Sequence, residues 1–174
     1  MKRHLLYVLV FLFFAVLPGC KDNVDAPFRH EANEYETSVL EWLKIQQLSN
    51  GLLESSENGN VVSLYDQSLA AMAFMINDEL PRTEAIFDFF NDRRSELNTA
   101  PGGFSQFRDR NGIPNGHRWM GDNAWPLIAL NNYKALTGRS TYDSLATDLS
   151  GWLSSLQDPT DGGLWLDTTL KTSS

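Results

Sequence analysis

The amino-acid sequence predicts an all-α domain. No stretch sustains the apolar–polar alternation of a half-buried strand, whereas five segments carry apolar residues at helical spacing. The predicted helices span residues 33–48, 65–77, 82–97, 122–137 and 141–156. The first, third and fifth are amphipathic, while the second and fourth are apolar almost throughout, which is typical of buried helices. This alternation of outer and inner helices is the order of an α/α toroid of helical hairpins. The toroid is apparently incomplete, with about five helices of twelve.

The three amphipathic helices each present one apolar face. The first groups Val39, Leu40, Trp42 and Leu43, the third turns Ile86, Phe89, Phe90 and Leu97 inward, and the fifth repeats Leu145, Leu149, Trp152, Leu153 and Leu156. These positions recur three or four residues apart, so we expect them to pack against the two apolar helices.

The two apolar helices are expected to form the centre of the domain. Residues 69–76 and 125–130 contain no charge, and Gly138 follows the fourth helix as a C-terminal capping glycine. Five helices cannot close a twelve-helix ring, so the sides of the inner helices would form an unusually large apolar patch. The chain is therefore expected to be a fragment, a truncated product or a half-ring that forms a homodimer.

An internal repeat supports this architecture. Asp122 lies 56 residues after Asp66, and the residues that follow each aspartate are similarly apolar. Trp42 and Gln47 match Trp152 and Gln157 at an offset of 110, about two such periods, and both segments lead into a glycine-containing turn. A unit of roughly 55 residues is one helical hairpin with long loops.

The N-terminus predicts export and a lipid anchor. A basic start at Lys2 and Arg3 precedes an apolar run over 5–17, which is too short to span a bilayer comfortably. Residues 17–20, Leu-Pro-Gly-Cys, resemble the lipobox of bacterial lipoproteins, which places the lipid on Cys20. The predicted organisation is a signal peptide over 1–19, a lipid-anchored tether over 20–32 and the partial toroid over 33–174. By resemblance to the sorting rules of Gram-negative cells, Lys21 after the lipidated cysteine favours the outer membrane, with the domain facing the periplasm or the cell surface.

Composition excludes several function classes. Fourteen Lys and Arg against 22 Asp and Glu give a net charge of −8, which disfavours nucleic acid as a partner. With one cysteine in the chain, no internal disulfide can form. His117 is the only histidine beyond the leader and tether, and no nucleotide- or cofactor-binding motif occurs, so neither a metal nor a cofactor is expected.

Four motifs resemble a known superfamily. They are WLKIQQLSNGL at 42–52, YDQSLA at 65–70, RWMGDNAW at 118–125 and WLSSLQDPTDGG at 152–163. Together these motifs look like bacterial proteins of the six-hairpin glycosidase-like superfamily, over most of residues 35–165. The resemblance implies an (α/α)6 barrel and an activity on a glycosidic bond or a sugar ring.

Asp66 and Asp122 are the candidate catalytic residues. Each begins an inner helix at equivalent repeat positions, and inner helices of a toroid run parallel, so both carboxylates should lie at one mouth of the ring. Glycosidases use two carboxylates about 5–10 Å apart, one as acid and the other as base or nucleophile. The alternative is that each aspartate only caps its helix and complements the helix dipole.

The long loop over 98–121 provides candidate substrate-binding residues. Trp119 would stack on a sugar, Arg118 or Arg110 would bind an acidic sugar, and His117 would transfer protons. Trp125, at the start of the fourth helix, is also assigned to substrate binding. The alternative is that the aromatic residues anchor the loop while the arginines pair with surface acids.

Three functional hypotheses follow. The first is a lipid-anchored, glycoside hydrolase-like protein that acts on a carbohydrate. The second is a surface lipoprotein that binds glycans without catalysis, and the third is an inactive, truncated remnant. Aspartate-to-asparagine changes would abolish turnover in the first case and leave binding intact in the second.

Overall fold

The computed structural model describes residues 33–168. The predicted signal peptide, the lipidation site Cys20 and the tether lie outside the described residues, so these assignments stay predictions.

The described chain is mostly helical, as predicted. Its helices are α1 Glu34–Gln46, α2 Leu64–Ile76, α3 Leu80–Asn91, the short α4 Ser95–Asn98, α5 Met120–Thr137 and α6 Asp143–Ser155. Four of the five predicted helices begin and end within two residues of the observed bounds. The third ends earlier, at Asn91, and its predicted last turn is the separate helix α4. Gly138 ends α5 in the left-handed conformation with φ 68°, which confirms the predicted cap.

The described residues also form a small antiparallel sheet, which the all-α prediction did not include. Its strands are β1 Val62–Ser63, β2 Phe107–Arg108 and β3 Pro114–Asn115, in the order β1-β2-β3. Two-residue strands are too short to produce a visible alternation pattern, so periodicity could not predict them. The predicted irregular loop over 98–121 is therefore partly ordered as the β2–β3 hairpin, and it pairs with the segment that leads into α2.

The core lies where α2 packs on α3 and α5, and where α5 packs on α6. The predicted inward residues of α3 and α6 are buried, with Leu153 only partly so. The face predicted for α1 was half wrong. Leu40 and Leu43 pack against the core, but Val39 and Trp42 are exposed because α1 touches little besides α2.

The apolar helices α2 and α5 are not buried on all sides, although their composition is typical of buried helices, and exposed apolar residues on these two helices were expected from the count of five helices. One side of each faces outward, because no described element covers it. The exposed apolar residues on these sides are Tyr65, Leu69 and Ile76 of α2, and Ile128 and Leu136 of α5. Among residues 33–168, no helix combines the length and apolar character needed to cross a membrane.

Candidate functional site

The two candidate aspartates occupy the same position in their helices. α2 begins at Leu64 and α5 at Met120, so Asp66 and Asp122 are each the third helical residue. The two helices pack against each other more extensively than any other pair in the described chain. The repeat seen in the sequence therefore corresponds to a structural equivalence at the two helix starts.

The electrostatics of Asp122 show that the pair interacts. Partial burial raises the pKa of Asp122 above its usual value, and the negative charge of Asp66 raises it further. A hydrogen bond from its own backbone N–H opposes the rise in pKa. The charge of Asp66 thus reaches Asp122, and the assignment of the two carboxylates as a catalytic pair stays a prediction.

Helix capping explains the two aspartates unequally. In α2 the Ser63 side chain accepts the hydrogen bond from the Asp66 backbone N–H at 3.4 Å, so Ser63 performs the capping. Within residues 33–168, no donor bonds the Asp66 carboxylate. In α5 the N-cap residue Trp119 offers no side-chain acceptor, and the Asp122 carboxylate accepts its own N–H. Capping is therefore a partial account of Asp122 and a poor one of Asp66.

An aromatic pair lies next to the carboxylates. Tyr65 and Trp125 meet edge to face with ring centroids 5.2 Å apart. Tyr65 directly precedes Asp66, and Trp125 lies about one helical turn after Asp122. Tyr65 is 38% exposed, and Trp125 is partly exposed. Rings held in this way offer flat apolar surface beside acidic groups.

Pro126 shapes the same helix start. It lies inside α5 and has no N–H to donate, so the Asp122 carbonyl receives no helical hydrogen bond from position 126.

Two buried amides hold the loops that precede the site, and the sequence analysis did not single them out. Gln67 exchanges two hydrogen bonds of 2.8 Å with the backbone N–H and C=O of Leu53. Asn123 does the same for Phe104, at 2.8 and 2.9 Å. Each amide directly follows a candidate aspartate, so the motif Asp–amide was the available signal. We call these two interactions the amide clasps.

The glycine turn before each clasped residue packs against the long helix that follows the clasping helix, α3 after α2 and α6 after α5. A Cβ on Gly51 would lie 2.2 Å from the Ala85 carbonyl of α3, and one on Gly102 would lie 2.6 Å from the Trp152 ring of α6. Both glycines also have positive φ, at 90° and 78°. The turns, clasps and helix starts therefore repeat as one unit that sets the position of each aspartate.

A cavity of about 300 Å³ opens beside Asp66. It lies between α1, residues 53–55 and α2, and Trp42, Glu54 and Asp66 are among its lining residues. Glu54 is nearly buried and binds Arg110 at 2.8 Å. The predicted acidic-sugar contact of Arg110 is thus already occupied by a carboxylate of the protein.

The remaining predicted binding residues lie just before α5. His117 stacks on Trp119 with centroids 5.4 Å apart and rings inclined by 13°, so one face of Trp119 is covered. Arg118 donates to the Gly103 carbonyl at 2.6 Å and thereby fixes a glycine turn. No measured contact joins these three residues to the carboxylate pair, and their roles in binding stay predictions.

Other residues of the loop over 98–121 have structural roles. Phe104 is fully buried, and Arg108 is buried with its guanidinium paired to Glu96 and lying near the rings of Phe89, Phe90 and Phe104. This matches the alternative interpretation, in which the loop is anchored to the core. In the part of the chain that the structure describes, no three His, Cys, Asp or Glu residues come together as a metal site would require.

A scan of the chain against protein-family models gave no match, and a search of the curated proteins gave no match either.

Proposed function

We propose that this protein is a lipid-anchored, carbohydrate-processing protein, and that Asp66 and Asp122 form its reacting carboxylate pair. The observation that carries the proposal is the interaction of two carboxylates at equivalent starts of two packed helices, with the Tyr65–Trp125 pair beside them. The resemblance to six-hairpin glycosidase-like proteins supports the same substrate class and suggests that the helical hairpins belong to an α/α toroid.

The two carboxylates suit acid–base chemistry at a sugar. Asp122, whose pKa is raised, is the candidate general acid that would protonate a leaving oxygen. Asp66, whose carboxylate is exposed in part and accepts no bond from the described residues, is the candidate base or nucleophile. Tyr65 and Trp125 would contact the apolar face of the sugar ring.

The location follows from the sequence. We propose that Cys20 carries the lipid and anchors the protein in the outer membrane, where glycans at the cell surface or in the periplasm are accessible. Radiolabelled palmitate incorporation, compared between the natural chain and Cys20→Ser, tests this part separately.

Turnover of a panel of oligosaccharides is the direct test of the enzyme hypothesis. We expect reducing ends to be released from at least one substrate class, and Asp66→Asn or Asp122→Asn to lower the rate at least about a hundredfold, because each removes an acid–base group. Asp92→Asn, which changes an exposed aspartate at the end of α3, is the matched control and should retain full activity. Equal rates in all four proteins would refute the assignment.

Glycan binding without turnover is the second candidate function. The observation that favours it is the exposed aromatic surface of Trp42, Tyr65 and Trp125 around an open site. In this case the same oligosaccharides would bind by calorimetry, no product would form, and the two asparagine variants would bind with little change.

A further inference from the structure

The cavity beside Asp66 has the size and shape of a small-ligand site. Its volume of about 300 Å³ lies at the lower end of the range for such pockets, roughly 300–1,000 Å³. It opens on the side of α2 that carries Asp66, so a ligand in the cavity would lie directly against that carboxylate. We call it the Trp42 cavity.

The walls of the Trp42 cavity combine an aromatic ring with a small apolar floor. Ala70 and Ala73 of α2 leave room for a ligand, and Trp42 of α1 lines the same cavity. The Trp42 indole N–H donates to Glu57 at 3.1 Å, which fixes the orientation of the ring. Trp42 is 40% exposed although it is the largest apolar residue of α1, so the fold does not use it to fill the core.

The polar rim of the cavity is made of hydrogen-bond acceptors and a hydroxyl. Ser55, Glu54 and Asp66 line it together. Ser55 receives the backbone N–H of Ser63 at 3.0 Å, and the Gln67 clasp on Leu53 holds this segment in place. An apolar ring face beside acceptors matches a sugar, whose C–H face is apolar and whose edge carries hydroxyl donors.

The charge of the rim selects among sugars. Arg110 neutralises Glu54, and the backbone N–H of Asn60 also binds that carboxylate at 2.8 Å. Asp66 has no cationic partner within residues 33–168, and Glu57 adds a further negative charge behind Trp42. A carboxylated sugar would be repelled here, whereas a neutral or amino sugar would not.

We propose that the Trp42 cavity is a monosaccharide subsite that binds a neutral or amino sugar, adjacent to the Asp66–Asp122 pair. Asp66 belongs to both the cavity and the carboxylate pair, so an oligosaccharide would occupy the two in succession. This inference rests on the proposed function and narrows its substrate class, and it replaces the sequence-based expectation of an acidic sugar bound by Arg110 or Arg118.

The test is calorimetric titration of the full-length protein with three probes of equal length. The probes are a neutral manno- or gluco-oligosaccharide, a chitosan oligosaccharide and an oligogalacturonide. We expect the neutral or amino probe to bind and the oligogalacturonide to bind at least about tenfold more weakly. Trp42→Ala should weaken binding about tenfold or more, and Trp42→Phe, which keeps a ring, should retain most of the affinity. Because Trp42 is exposed, circular dichroism should show that both variants fold.

Two outcomes overturn the inference in distinguishable ways. In the first outcome, binding or turnover of a sugar depends on Asp122 but not on Trp42, or the oligogalacturonide binds most tightly of the three probes. The subsite is then wrong and the proposed function stands. If no probe binds to the natural chain, the proposed function fails and the subsite fails with it.

Discussion

At the residue scale, the raised pKa of Asp122 links the charge of this carboxyl group to the stability of the fold. Burial and the charge of Asp66 raise its pKa, so the folded state holds a proton on this group more tightly than the unfolded chain does. The ionised carboxylate therefore reduces stability. This loss is absent below the ordinary carboxyl pKa of 3.8 and develops as the pH rises through the folded-state value.

The first prediction concerns Asp122→Asn. At pH 7 this variant should be as stable as the natural chain or more stable, by less than about 1 kcal/mol because the site is partly exposed to solvent. The difference should vanish near pH 3, where Asp122 is protonated in both states. Urea denaturation at the two pH values measures this difference in unfolding free energy. The prediction is contradicted if the variant, compared with the natural chain, loses stability between pH 3 and pH 7.

The second prediction concerns the coupling of the two aspartates. Asp66→Asn removes a like charge and should lower the pKa of Asp122, measured by carbon-13 NMR titration of the side-chain carboxyl. Asp92→Asn is exposed and serves as the control that leaves the titration unchanged. If both variants give the same Asp122 titration, the two carboxylates are too far apart to act as a pair.

The third prediction concerns the Arg108–Glu96 ion pair. Arg108 is 2% exposed, so Glu96→Gln leaves a buried guanidinium without its counter-charge and should cost about 3 kcal/mol of unfolding free energy. The exposed pair of Lys134 and Asp143 is the matched control, and Asp143→Asn should cost less than about 1 kcal/mol. If Glu96→Gln and Asp143→Asn lower the unfolding free energy by similar amounts in urea denaturation, Arg108 keeps access to water.

At the element scale, the amide clasps join each loop to the helix that follows it. Gln67 and Asn123 are 1% and 0% exposed, and the backbone groups that they bind at Leu53 and Phe104 are buried with them. A buried N–H or C=O without a hydrogen-bond partner lowers the stability of the fold, because it has lost its hydrogen bonds to water and gained none in the protein. The clasps therefore contribute more to stability than their number of bonds suggests.

The fourth prediction is that Gln67→Leu and Asn123→Leu each lower the unfolding free energy by about 2–4 kcal/mol, because two buried backbone groups lose their partners. Asn131→Leu, an exposed change of the same kind on α5, should cost less than about 1 kcal/mol. Chemical denaturation of the three variants is the measurement. A Gln67 or Asn123 variant as stable as the Asn131 variant would show that the loops find other partners.

How far the sequence could predict these elements depended on the range of each signal. Periodicity placed α2, α5 and α6 within two residues, since 13 to 18 residues carry that pattern. The strands have two residues each and carry none. Likewise, the repeat identified Asp66 and Asp122 as equivalent, but the exposed position of Trp42 depends on how α1 packs, which no local pattern contains.

At the scale of the whole molecule, charge and apolar surface are separated. The chain carries a net charge of −8, yet Asp66 is the only charged residue of α2, and Asp122 and Lys134 are the only ones of α5. The exposed residues of α2 are all apolar, and α5 exposes Ile128 and Leu136 in addition to Asn131, Asn132 and Lys134. Leu164 is 52% exposed, although Leu53, which bridges to Gln47 as Leu164 bridges to Gln157, is 3% exposed and clasped by Gln67.

The fifth prediction follows from the apolar surface of α2 and α5. The protein should bind the dye ANS and should associate as its concentration rises. The reason is that exposed apolar side chains favour contacts that remove them from water. Ile76→Lys, at the C-terminal end of α2, combined with Ile128→Lys, near the middle of α5, places two charges among these apolar residues. The double change should reduce both effects several-fold, measured by fluorescence and sedimentation velocity. Ile45→Lys is the control, since Ile45 and Ile76 are both 77% exposed but Ile45 lies on α1. If the control reduces association as strongly as the double variant, association depends on general surface charge and not on this face. If only the double variant does so, the side of α2 and α5 that carries the candidate carboxylates at one end is also a contact surface, and the predicted homodimer would form beside the proposed site.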